Sequence, residues 1–104
     1  MVLTLAKRLW SVFTDDMDCC YFTGSYQVER HHIFSHTASE RNASERYGFI
    51  IPLRPDLHPN GVHFKPPKGF ERIDEDLKIM AQIYFEEHYG TREEFREIFF
   101  KSWL

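Results

Sequence analysis

Val28-Glu29-Arg30-His31-His32-Ile33-Phe34, followed further on by Phe49-Ile50-Ile51-Pro52-Leu53, is the pair of segments that decides the fold. The first belongs to a segment, Tyr26 to Phe34, that reads as extended; the second reads as a short strand whose Pro52 suits a sheet edge or a strand end. Between them His36 to Arg46 is polar, with helical character around Ala38 to Glu45. Cys20 to Ser25 reads as a tight turn. Downstream, Arg54 to Phe64 contains Pro55, Pro59 and Gly61 and cannot be one long helix; a single turn after Pro55 fits. Lys65-Pro66-Pro67-Lys68-Gly69 is a loop. Residues 71–89 then carry Ile73, Leu77, Met80, Ala81, Tyr84 and His88 at helical spacing, with Gly90 at the C′ position. Thr91-Arg92-Glu93-Glu94 has the capping-box pattern and opens a last helix with Phe95, Ile98 and Phe99 inward. Trp103 and Leu104 are expected to fold back on the core, and Leu3 to Phe13 to form a short helix. The expected class is α+β: a small core with short strands, followed by two C-terminal α-helices.

The chain has 104 residues, so a single domain spanning 1–104 is expected. Ten Phe, five Tyr and two Trp supply enough apolar surface for a core and place the composition far from disorder. No apolar run is long enough to span a bilayer, and Lys7 and Arg8 fall inside the first apolar stretch, unlike a secretion signal. The formal net charge is −3. Residues 1–69 hold 8 basic and 7 acidic side chains; residues 70–104 hold 5 basic and 9 acidic. The chain therefore divides into a near-neutral part, with its chemistry in 20–64, and an acidic helical part, 71–104. Cys19 and Cys20 are adjacent, which disfavours a disulfide between them and suits reduced thiols in a cytoplasmic protein. Cys19 is expected to be buried as a small hydrophobe, His36 to be solvated, and His88 to lie in the core.

His31 and His32, with His58 and His63 on a turn broken by Pro59 and Gly61, form a pattern suited to a divalent metal. In a strand His31 and His32 point to opposite faces, so one can ligate while the other serves as a base. Cys20 can add a thiolate. The spacing leaves open whether His31 or His32 joins His58, His63 and Cys20 at the ion; zinc suits such a set, with magnesium or another divalent ion as the alternative. A closed zinc site would contribute on the order of 10 kcal/mol coupled to folding. Arg30, Arg41, Arg46, Arg54, Lys65 and Lys68 are candidates for a local basic patch around His32.

The ordered set Cys20-x-x-Thr23-Gly24, Val28 to Phe34, Ser44-Glu45-Arg46-Tyr47-Gly48, Leu53-x-x-x-x-His58 and Val62-His63 resembles a family of small phage and prophage proteins similar to HNH, or ββα-metal, nucleases. The resemblance runs from about Cys20 to Leu104. It implies an HNH-like core, with His31, His58 and His63 as ligands and His32 as the general base of DNA cleavage. Thr23, Arg54 and Leu57 stand where many HNH domains have further zinc-binding cysteines, which leaves Cys20 to join the histidines. Gly48 and Phe49 stand where the HNH asparagine is expected.

Two functions follow from that resemblance together with the charge. The first expectation is a zinc-stabilised phage protein that binds and inhibits a host defence nucleoprotein in the bacterial cytoplasm. Its sharpest form is an anti-CRISPR inhibitor that blocks DNA binding by an RNA-guided effector nuclease. Glu86, Glu87, Glu93, Glu94 and Glu97 are the candidate contacts to a basic groove. The alternative is a metal-dependent HNH-type DNA endonuclease that works through His32.

Overall fold

The computed structural model describes residues 9–59 and 63–104. Strand β1 (Glu29–His32) pairs antiparallel with β2 (Ile50–Leu53), in the register Glu29↔Leu53, Arg30↔Pro52, His31↔Ile51 and His32↔Ile50. Helix α1 (Ala38–Tyr47) connects the two strands; α2 (Ile73–His88) and α3 (Arg92–Phe99) follow. A short 3-10 turn, Pro55–Leu57, begins at Pro55 as expected. The α+β class with short strands and two closing helices is therefore observed. Two strands have only edges, so Pro52 costs no ladder bond even though it is fully buried.

Helix α1 forms from a sequence with almost no apolar face. Its start is fixed by Thr37, whose hydroxyl accepts from the Glu40 N–H at 3.1 Å. Its end is fixed by Gly48 in the left-handed region at φ 75°. A Cβ there would also meet the Trp10 ring at 2.7 Å and Val12 at 2.8 Å, so glycine is required twice over. The Ser44 carbonyl accepts from both the Gly48 and Phe49 N–H groups. The buried Ser44 hydroxyl donates to the Phe34 carbonyl at 2.8 Å and accepts from the Phe34 N–H at 3.1 Å. Ile33 N–H bonds to the Phe49 carbonyl at 2.9 Å. One serine thus locks the exit of β1 to the helix and the helix to the entry of β2.

Helix α2 starts with Asp74, Glu75 and Asp76 near the positive end of its dipole. Ile73, Leu77, Ala81 and Phe85 face the core, while Met80 and Tyr84 are half-buried. His88, expected inside, is exposed: its ring stacks on Tyr84 and its Nδ1 lies 3.0 Å from the Tyr84 carbonyl, at the last turn. Gly90 does follow the helix, but without a positive φ. Its smallness matters instead, because a Cβ would press on Glu94 at 2.9 Å and Phe85 at 3.2 Å. In α3 both halves of the Thr91/Glu94 capping box form. Phe34, Phe49, Phe85, Phe95 and Phe99 pack together, with Phe34 and Phe99 centroids 4.3 Å apart and Phe85 and Phe95 5.4 Å apart.

Three further expectations are corrected. The N-terminal helix is not formed by the described residues 9–13, and residues 1–8 lie outside the description. Phe13 nonetheless packs on Phe49 and Tyr84. Trp103 does fold back, because the buried Gln82 side chain accepts its N–H at 2.7 Å, but Leu104 stays exposed. Cys20, not Cys19, is the buried cysteine. No helix among the described residues is long and apolar enough to cross a membrane.

Replacing Ser44 with Ala leaves the Phe34 N–H and C=O buried without partners. The expected cost is about 3 kcal/mol, a large share of a small domain's stability, with a fall in melting midpoint of roughly 15 °C. Thermal unfolding followed by circular dichroism checks this.

Candidate functional site

The two histidines of β1 share one cleft of about 390 Å³, lined by Arg30, His31, His32, Arg41 and His58 among others. His31 is 4% exposed. Its ring meets that of His58 edge-on, with centroids 4.9 Å apart, and its buried Nε2 has no hydrogen-bond partner among the described residues. Strand alternation puts Glu29 on the same face of β1 as His31, and Glu29 Oε1 lies 2.7 Å from His58 Nδ1. That bond orients the second ring and leaves its Nε2 for another partner. His32, on the other face of the strand, meets α1: its Nε2 lies 2.9 Å from Glu45 Oε2. His32 and His58 therefore each have a carboxylate that fixes the ring, while His31 is held by packing.

Burial holds the His31 ring down to about pKa 3, helped by the nearby His58, Lys78 and His32. A neutral imidazole with a bare, buried nitrogen is what a metal ion requires. Among the described residues, however, no three His, Cys, Asp or Glu side chains group so as to hold an ion. The expected closed set of Cys20, His31, His58 and His63 is thus not assembled there. Cys20 sits in the apolar core, and its thiol is engaged by the Thr23 hydroxyl and by backbone N–H groups of Arg54, Phe22 and Thr23. Burial pushes that thiol up; these hydrogen bonds outweigh it and bring it below its ordinary value. The turn that carries it is closed by Gly24 N–H to the Cys20 carbonyl at 2.9 Å and Cys20 N–H to the Ser25 carbonyl at 2.7 Å. His63 is exposed and is not among the residues lining the cleft. His36 is exposed, as expected.

Of the candidate basic patch, Arg30 and Arg41 line the cleft. Arg30 also pairs with Asp18 at 3.1 Å. Arg54 is turned to Asp56, which holds that carboxyl below its usual range. Arg46 lines a separate groove with Glu97 and Phe100. The acidic candidates divide similarly. Glu86 bonds Arg92 and Gln82, and Glu94 is used in the capping box of α3. Glu87, Glu93 and Glu97 are exposed, with no ion pair among the described residues. Glu29 and Glu45 were not foreseen as histidine partners. The i, i+2 spacing of Glu29 and His31 on one strand held the first signal; the second needs the packing of α1 against β1.

In the unfolded chain His31 titrates near 6.5. Its depressed native pKa makes the unfolded state the first to take up a proton on acidification. The stability it contributes is therefore complete above about pH 6.5 and is lost as pH falls toward 3. In metal-free buffer the unfolding free energy is expected to drop by up to about 1.4 kcal/mol per pH unit in that window. His31→Gln is expected to flatten the slope; urea titrations at several pH values measure it.

No family model, no curated protein and no solved structure matches the chain.

Proposed function

We propose that the His31–His58 cleft is the reacting site of a divalent-metal-dependent, HNH-like endonuclease that cleaves DNA. The observation that carries this reading is the buried Nε2 of His31, without a partner among the described residues, against the His58 ring in a cleft that also presents His32, Arg30 and Arg41. His31 and His58 are the residues that would hold the ion. Two imidazoles suit zinc or a similar transition ion better than magnesium. A two-histidine site leaves positions open for water and substrate, as catalysis needs. When bound, the ion supplies Lewis-acid stabilisation of the charge that develops on the phosphate and the leaving oxygen.

The chain's own groups supply the rest. Nε2–H of His32 donates to the Glu45 carboxylate, which fixes the tautomer and leaves Nδ1 bare. Nδ1 of His32 is then the atom that takes the proton from an attacking water. Glu29 orients His58 through Nδ1 in the same way. Arg30 and Arg41 offer planar donors to the flanking phosphate oxygens.

The expected behaviour is cleavage of DNA by the purified protein with manganese or zinc, stopped by chelation. His32→Ala is expected to lower the rate by about a hundredfold or more, and Glu45→Gln by about tenfold. Calorimetric titration should show the ion bound by wild type and by His32→Ala but lost in His31→Ala. An unchanged rate in His32→Ala contradicts the proposed base.

A second reading keeps the exposed carboxylates. Glu87, Glu93 and Glu97 on α2 and α3 are available to a basic partner, such as the nucleic-acid groove of a host CRISPR effector. In that reading Glu→Lys changes at these three positions abolish capture of a purified effector without changing the melting midpoint, whereas Glu86 and Glu94 affect stability first.

A further inference from the structure

We propose that the cleft continues past His31 to a stacking subsite that takes one nucleobase of single-stranded DNA, selecting bases that carry an exocyclic amine. The subsite is built from Phe100, Trp103, Lys101 and Lys78 around the Glu40 carboxylate. It deepens the nuclease reading by naming the form of substrate the cleft receives.

Three cavities lie in series along the surface. His31, Ser35 and Pro59 line both the histidine cleft and a second cavity; His36, Glu40 and Lys78 line both the second and a third. The third, of about 440 Å³, is walled by Phe99, Phe100 and Trp103. Lys101 Nζ lies 4.0 Å and Lys78 Nζ 4.7 Å from the centre of the Trp103 ring. Lys78 is already bonded to Asp74 at 2.9 Å, whereas Lys101 has no ion pair among the described residues. Trp103 thus holds both ammoniums over its ring, and the exposed Phe100 ring beside them suits a stacked base whose phosphate meets Lys101.

Glu40 supplies the selectivity. It is a charged residue only 8% exposed, and its one side-chain bond among the described residues, from the Thr37 hydroxyl, is long at 3.4 Å. A carboxylate only accepts. Adenine and cytosine present an amine that can donate to it; thymine presents a carbonyl at the equivalent position and is repelled. Phe100 adds an independent sign. It holds φ 72°, the left-handed region where glycine is at home, yet it is a large aromatic with 61% of its surface exposed. Folding alone would favour glycine at this helix end. An exposed ring held there against strain is explained by contact with a ligand.

The test is fluorescence anisotropy of short labelled oligo(dA), oligo(dC) and oligo(dT) in chelator, so that binding is read without cleavage. Wild type is expected to prefer oligo(dA) and oligo(dC) to oligo(dT) by about tenfold. Trp103→Leu, Lys101→Glu and Phe100→Gly should each weaken the preferred oligonucleotides by about tenfold. Phe100→Gly should melt at the same temperature or higher, so its loss of binding is not unfolding. Glu40→Gln, which offers a donor as well as an acceptor, should erase the preference. Equal affinity for the three oligonucleotides, undiminished binding by Trp103→Leu and Phe100→Gly, or no binding by wild type each overturns the subsite. The two readings fail separately. A selective protein that does not cut DNA with any divalent ion keeps the subsite and loses the nuclease. A protein that cuts DNA but binds identically without Trp103 and Phe100 does the reverse.

Discussion

The double hydrogen bond between the Ser44 hydroxyl and the Phe34 backbone is the contact on which the architecture turns. A two-stranded sheet is marginal by itself. Here its strands are joined by a ten-residue helix, not a tight turn, so nothing local sets their register. The serine does so from inside the helix. Its side chain holds the end of β1, and its carbonyl receives Gly48 and Phe49 as the chain turns into β2. Register in turn decides that His31 faces His58 while His32 faces Glu45. A slip by one residue would exchange the two rings between core and helix. The geometry of the cleft is thus inherited from a hydroxyl that does not touch it.

Elements whose signals are local were legible in the sequence. The capping box at Thr91, the spacing of Ile73, Leu77 and Phe85, and the turn at Pro55 all act within a few residues and appear where the pattern puts them. Helix α1 was visible as well, although its inward face consists of Glu40, Ala43 and Ser44 and carries little hydrophobic signal. What the sequence could not carry was long-range pairing. Gln82 reads as an ordinary polar helix residue, yet it is fully buried because the C-terminal backbone comes back to meet its amide. His88 keeps perfect helical spacing but falls on the last turn, beyond the reach of the core. The histidine pair with His58 was foreseen as neighbours; the carboxylates that orient His32 and His58 were not, since each belongs to a different segment.

Charge illustrates the difference between a total and a distribution. The chain is acidic overall. The cleft around β1 nevertheless gathers two arginines and three histidines, while part of the acidic surplus is consumed by helix capping and ion pairs in α2 and α3. Within the cleft Arg30 is already paired with Asp18 and His31 is held neutral by burial, so the local field rests on fewer charges than the ring count suggests.

Glu45 contributes two groups that work in different directions. Its carboxylate reaches His32, and its main-chain oxygen accepts the Trp10 indole N–H at 2.9 Å. The second bond belongs to the backbone and survives any replacement of the side chain. The acid at this position, and with it the hydrogen-bond partner of the neighbouring ring, can therefore be exchanged while the indole stays moored. The mooring of the N-terminal segment and the partner of the His32 ring are thus separately heritable at a single codon.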